Sequence, residues 1–272
     1  MLHKLFYSNY LQMKTKLTLV KIGGQLIDNE VLLNETLRYF AKLDGAKLLV
    51  HGGGKLATNY AERLGIESEF IDGRRKTDRK MRDVAVMVYA GLINKQIVGA
   101  LQGFNCNSLG LCGADLNTIK AKKRPSAPID FGYVGDITAI NTKIVASLLN
   151  MGITPVFSPI TCTKKGGLLN TNADTIATQL AIHLSTDFDV HLTYCFDQKG
   201  VLADFSNPNS VITEIAFGEL DQLISQNIIH AGMIPKLTNG FEALANNVQK
   251  VVLSDHFILK NWNQIKTTLK YT

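Results

Sequence analysis

The chain has 272 residues, 46% of them hydrophobic, and its 29 Lys and Arg against 23 Asp and Glu leave a formal net charge of +6 at pH 7. That length supports one large α/β domain or two lobes with a sizeable core, and no apolar run in the sequence approaches the roughly 20 residues of a membrane helix, so no membrane partner is expected. The basic excess suits a nucleic acid or a small polyanion alike, but no nucleic-acid-binding module accompanies the clusters Arg74-Arg75-Lys76, Arg79-Lys80-Arg82 and Lys122-Lys123-Arg124, and the last of these reads as solvated charge.

The opening MLHKLFYSNYLQMKTK has no clean apolar centre or cleavage site, so a signal peptide is not expected and a cytoplasmic location is. Residues 1–16 read as an N-terminal extension, with Met13 as the simpler start. LTLVKIGG (17–24) reads as a strand ending in glycines, and residues 30–43 as a helix with Leu32, Leu33, Leu37, Phe40 and Ala41 near helical spacing. AKLLVHGGG is a second apolar run ending in glycines. A helix over 55–64, a short strand SEFID and a long helix over 78–101 follow, the last capped by Thr77. SLGLCGAD reads as strand and turn, 119–140 as short strands and hairpins, 142–150 as a helix, TPVFSPI as a strand and CTKKGGLL as a hairpin. NTNADTIATQLAIHL turns into a helix. DVHLTYCF is a strand, 217–228 and 235–247 are helices, and QKVVLS is a late strand. Repeated strand–helix alternation predicts an α/β fold with a mostly parallel central sheet and helices on both faces. Two lobes of one continuous fold are expected, 17–180 and 181–272. The four cysteines form no CxxC pair, so neither a zinc site nor a redox motif is indicated.

Both glycine runs fall at strand carboxyl ends, where ligands sit in such sheets. Glycines between a strand and a helix let the backbone approach a ligand closely, and the helix start behind them favours an anion. The P-loop pattern fails, because Leu49 and Leu56 stand where it needs glycine and Ser or Thr. A dinucleotide fingerprint does match at Gly52, Gly54 and Ala57, with Asp72 about 20 residues on and Arg74 available for a 2′-phosphate. An NADP-binding oxidoreductase is therefore the alternative from another class. A third reading uses both glycine runs together with Lys21, the NTNAD segment and Lys236 in GMIPK. Taken singly, the lysines read as surface charges, Asn170 as a turn residue and Asp174 as an N-cap.

Taken in order, KIGGQL, VHGGGK, GRRKTD, AGLINKQIV, LNTNADTIA and HAGMIPK resemble the amino-acid kinase family, in particular its acylglutamate branch, from about Leu17 to about Ser254. The resemblance implies a carbamate kinase-like αβα sandwich. It implies transfer of a phosphoryl group from ATP with Mg2+ to the side-chain carboxylate of N-acetyl-L-glutamate, giving an acyl phosphate in arginine biosynthesis. A carboxylate nucleophile is already ionised at neutral pH, because a Glu side chain titrates near about 4.3, so no general base is needed. What remains is electrostatic: an anion must approach a charge-rich phosphoryl group. By resemblance Lys21 and Lys236 supply the positive charge, Asp174 orients both, and the backbone at Gly53 and Gly54 meets substrate and phosphoryl. Gly23 and Gly24 do similar work on the phosphates, Arg75 forks onto the substrate α-carboxylate, and Asn170 bonds its amino-acid portion. Magnesium is expected mainly on the nucleotide's own oxygens and water, and no protein ligand is named for it. His51 reads as a strand-end residue rather than an acid or base.

The chain departs from the family at Arg74 and Lys76, where aliphatic residues usually flank the substrate arginine. Arg74 is therefore a candidate contact for an extra negative charge on the acyl group, and N-succinyl-L-glutamate is the alternative substrate. CFDQK replaces a shorter family turn near the nucleotide, where Lys199 and Gly200 are the candidate contacts. A homodimer is expected.

Overall fold

The computed structural model describes residues 14–71, 74–229 and 232–271. Asp72 and the proposed start at Met13 lie outside them. The central sheet has eight strands, in the spatial order Glu214–Ala216, Thr267–Lys270, Lys250–Ser254, Phe188–Cys195, Thr15–Ile22, Ala46–His51, Thr154–Phe157 and Ser108–Leu111. Every pairing is parallel except that between Lys250–Ser254 and Thr267–Lys270. The mostly parallel expectation therefore holds, and the sheet runs unbroken across residue 180. Strands covered on both faces need near-continuous apolar runs. In Thr15–Ile22 the residues Leu17, Leu19, Val20 and Ile22 are all fully buried.

The two-residue period of the strands sorts these side chains. Leu17, Leu19, Leu48 and Val50 pack with Ile176, Ala177 and Leu180 of the helix Ala173–Leu184. Val20, Ile22 and Leu49 pack on the other face with Phe40 of the helix Glu30–Ala41 and with Val84, Ile93 and Ile97 of a 25-residue helix, Arg79–Gly103. Lys21 thus shares a face with Leu19, and His51 shares one with Leu49. A second sheet, in the order Leu168–Asn170, Ile160–Cys162, Ile119–Lys123, Gly135–Ile140, stands beside the carboxyl ends of the first. An isolated bridge from Val134 to Asn170 extends it.

Four sequence expectations need correction. The long helix is capped by Asp78, whose carboxylate accepts from the Met81 N–H at 2.7 Å, while Thr77 donates to the Arg75 carbonyl instead. That helix also reaches the length and apolarity of a membrane span, contrary to the sequence reading. Length and composition alone qualify it: 44% of its apolar window is buried inside the protein, where Val84, Ile93 and Ile97 pack in the core. The region 217–228 divides into a 3-10 turn Phe217–Glu219 and a helix Leu220–Ser225. The sheet gains an unforeseen strand, Thr267–Lys270.

Candidate active site

The two glycine runs end adjacent parallel strands, in register at Ile22 and His51. Lys21 is the penultimate residue of its strand and is buried. Its Nζ lies 2.6 Å from Asp174 Oδ1. Asp174 is the second residue of Ala173–Leu184, where a carboxylate is favoured by the helix dipole. The cap is Asn172, whose side-chain oxygen accepts from the N–H groups of Asp174 and Thr175 at 2.8 and 3.1 Å. Lys236, in the first turn of Ile234–Ala245, places Nζ 3.7 Å from Asp174 Oδ2. One carboxylate therefore stands between two ammonium groups from different parts of the chain. The Lys21 contact is a close ion pair made off the hydrogen-bond line, so Oδ1 is left without an aligned donor.

Burial alone would raise the Asp174 carboxyl, but Lys21 and then Lys236 outweigh it and hold it below its ordinary 3.8. Burial pulls Lys21 below 10.5; Asp174 opposes the shift and Lys236 adds to it. The array thus holds an ionised carboxylate beside two lysines.

Two cavities meet at this array. One, of about 390 Å³, has Lys21, Gly23, Gly24 and Lys236 at one part of its lining and Phe196, Val201, Leu202, Phe205 and Met233 at another. Glycines and lysines beside apolar walls suit a nucleoside triphosphate. The other, of about 230 Å³, is lined by Lys21, Gly52, Gly53, Arg74, Arg75, Asn170 and Asp174. Among the described residues no three of His, Cys, Asp and Glu gather to hold a metal ion.

The structure brings Lys21, Asp174, Lys236, Gly23, Gly24, Gly53, Arg74, Arg75 and Asn170 around these two cavities. Gly54 opens the helix Gly54–Arg63 directly behind the turn. Arg75 is buried; it donates to Ser68 Oγ and Thr58 Oγ1, both at 2.8 Å, and its guanidinium lies 4.4 Å from the Phe70 ring centroid. Asn170 Nδ2 donates to Thr77 Oγ1 at 3.1 Å. Lys199 and Gly200 are not among the residues lining the larger cavity. Lys199 is exposed, and a Cβ at Gly200 would stand 2.6 Å from Thr267 Oγ1 and 2.7 Å from Val211, so that glycine serves close packing. Their neighbours Asp197, Gln198 and Val201 line the cavity instead.

Sequence reasoning missed Tyr89 and Arg124, which also line the smaller cavity. By sequence Arg124 reads as solvated charge. Its Nε and Nη2 donate to Asp136 Oδ1 at 2.9 and 2.6 Å, and its Nη1 is buried without a hydrogen-bond partner. The signal for it is weak, because only the fold of the second sheet brings Arg124 back to the cleft. Lys76, by contrast, pairs with Glu69 on the surface at 2.9 Å.

Comparison with known proteins agrees with this geometry. The amino acid kinase family pattern matches residues 16–255. The acetylglutamate kinase of Bacteroides fragilis is 47% identical over 243 residues, covering 89% of this chain and 93% of the relative. That of Phocaeicola vulgatus is 48% identical over 242 residues, covering 89% and 94%. Among solved structures, smu.665 from Streptococcus mutans UA159 superposes with a TM-score of 0.77 at 24% identity, covering 94% of this chain and 99% of that one. Carbamate kinase from Giardia lamblia bound to AMP-PNP superposes with a TM-score of 0.71 at 13% identity, covering 96% and 99%. At those identities the structures speak for the fold alone. The sequence relatives and the family pattern go further: this chain belongs to the amino acid kinase family.

Proposed function

We propose that the chain is an ATP-dependent kinase that phosphorylates the side-chain carboxylate of N-acetyl-L-glutamate to an acyl phosphate, a step of arginine biosynthesis. The observation that carries this reading is the Lys21–Asp174–Lys236 array at the junction of the two cavities. The relatives named acetylglutamate kinase favour the acetyl over the succinyl group and leave the NADP alternative without support.

The N-terminal lobe takes the acylglutamate in the smaller cavity, with Arg75 on its α-carboxylate and Asn170 on its amino-acid portion. The larger cavity takes ATP, with Gly23 and Gly24 on the phosphates and the C-terminal lobe on the adenosine. The γ-carboxylate attacks the γ-phosphorus, the bond to the bridging oxygen breaks, and ADP leaves. No proton moves, so the work is positioning and charge stabilisation. Lys21 faces the transferring phosphoryl group and Lys236 the leaving oxygen, while Asp174 holds both ammonium groups in place. Mg2+ would be held mainly by the nucleotide's own oxygens and would supply charge neutralisation there. The strand Ser108–Leu111 is an edge of the central sheet with Leu109 exposed. An unpaired edge invites pairing, and a homodimer closing on it fits. We place the enzyme in the cytoplasm.

The test is a transfer assay with Mg-ATP in which hydroxylamine traps the acyl phosphate. N-acetylglutamate and N-succinylglutamate are run side by side. Turnover of N-acetylglutamate is expected; silence with both would end this reading, and preference for the succinyl compound would reassign Arg74 and Arg124 to the acyl group.

Arg75→Leu should raise KM for N-acetylglutamate roughly ten- to a hundredfold, the cost of about 1.5–3 kcal/mol for a hydrogen bond to a charged group. KM for ATP should not change. Equal losses for both substrates in steady-state kinetics would show that Arg75 supports the lobe rather than the substrate.

A further inference from the structure

His51 is fully buried at the end of its strand, and the transfer reaction proposed above gives it no task. Its ring is nonetheless fully engaged. Nδ1 lies 2.8 Å from the carbonyl oxygen of Gly52. A carbonyl can only accept, so Nδ1 carries the proton and donates it. Nε2 is then a bare acceptor, and Asn94 Nδ2 donates to it at 3.2 Å. The same Nδ2 donates to the Val156 carbonyl at 2.9 Å, which uses both amide hydrogens and fixes the amide's orientation. Lys95 Nζ donates to Asn94 Oδ1 at 3.2 Å. This crowding is possible because residue 110 is glycine: a Cβ there would overlap Asn94 Oδ1.

Asn94 and its neighbour Ile93 are placed by a local departure in the long helix. Residues Val86–Ile93 form a π-helical stretch and Asn94–Gly103 resume the α-helix. Such stretches re-aim side chains and concentrate at functional sites. Here two consecutive residues address one turn. Asn94 reaches it through His51, and Ile93 packs directly over Gly53, whose absent Cβ would stand 2.3 Å from Ile93 Cδ1. Gly53 has φ +141°, a conformation that side chains rarely adopt.

The Gly52 carbonyl and the Gly53 N–H belong to one planar peptide unit and point in opposite directions. Holding the carbonyl therefore fixes the direction of the N–H. We propose that His51 and Asn94 are positioning residues: together they lock the Gly52–Gly53 peptide so that the Gly53 N–H stands ready for the transferring phosphoryl group. This rests on the kinase reading, in which that N–H meets the phosphoryl. His51 acts neutral throughout. Burial lowers its pKa to about 4, Asn94 meets its Nε2 with Lys95 bonded in turn to Asn94, and no acid is among the partners on either ring nitrogen.

The experiment compares wild type, His51→Leu, His51→Asn and Asn94→Leu. Each is measured for kcat, for KM of both substrates, and for hydrogen exchange over residues 52–57 by mass spectrometry. Leu removes the donor to Gly52, whereas the Asn amide nitrogen can replace Nδ1. His51→Leu is expected to lower kcat tenfold or more, by the order of loss that a misplaced reacting group causes, with KM for ATP unchanged and faster exchange over 52–57. His51→Asn should recover most of kcat, and Asn94→Leu should give an intermediate loss with the same exchange signature. A folded His51→Leu enzyme with wild-type kcat and exchange overturns the proposal, as does a loss that His51→Asn does not relieve. If His51→Leu fails to fold, Asn94→Leu decides by the same criteria. If wild type itself transfers no phosphoryl group, the kinase reading fails, and the exchange comparison still decides whether His51 and Asn94 lock the turn.

Discussion

Replacing Asp174 by Asn is expected to lower kcat by on the order of a thousandfold while leaving the helix cap intact, since Asn172, not Asp174, caps that helix. The amide keeps the size of the carboxylate and loses its charge. Lys21 is then buried beside Lys236 with nothing to hold its proton. Burial and the neighbouring ammonium both pull its pKa down, so Lys21 should shed its charge at a lower pH than in the wild type. The residual activity of the variant should therefore fall as pH rises, earlier than the wild-type profile does. Stability gives an independent reading. The folded Asp174 pKa lies below its ordinary 3.8, so its contribution is present above that value and is lost as pH falls through the folded value. At neutral pH, breaking a buried pair costs about 3–5 kcal/mol. The gap between wild type and variant in denaturant melts should thus narrow below about pH 4. A gap that stays constant with pH, or a variant with wild-type kcat, would show that the carboxylate is not the tie between the lysines.

Much of this site can be read from the residue order, because the parts that matter sit at the ends of regular elements. KIGG and HGGG end apolar runs in a parallel sheet, and the two-residue period alone sends Lys21 to the face covered by Ala173–Leu184. What the order does not reveal is long-range closure. Arg124 looks solvated until the second sheet returns it to the cleft against Asp136. The strand Thr267–Lys270 lies beyond any motif, and its place depends on an antiparallel partner, Lys250–Ser254. The cap at Asp78 rather than Thr77 is a one-residue matter that either side chain could have satisfied. At Gly200, a candidate nucleotide contact by sequence, close packing against Thr267 and Val211 is a second demand that residue order does not show.

Lys236→Ala should cost about a hundred- to a thousandfold in kcat, the range for removing one group that stabilises transition-state charge. The two lysines are held differently. Lys21 is pinned 2.6 Å from Asp174 and its side chain is 7% exposed; Lys236 stands at 3.7 Å and is 21% exposed. The Lys236 ammonium also donates to the Gly232 carbonyl, at a long 3.4 Å. A loosely tethered ammonium can shift toward charge as it develops on the leaving oxygen, and only interactions stronger in the transition state than in the ground state raise kcat. KM for N-acetylglutamate should hold steady, because Lys236 lines the larger cavity and not the smaller one. KM for ATP should change little, since removing an interaction made only in the transition state lowers kcat and kcat/KM together. Lys236→Arg should restore part of the rate and no more: the guanidinium keeps the charge but spreads it over a rigid plane that cannot take the place of a compact ammonium. If Lys236→Ala instead raises KM for ATP at constant kcat, Lys236 binds the nucleotide ground state, and the charge on the leaving oxygen must be met by Lys21 and the glycine turn.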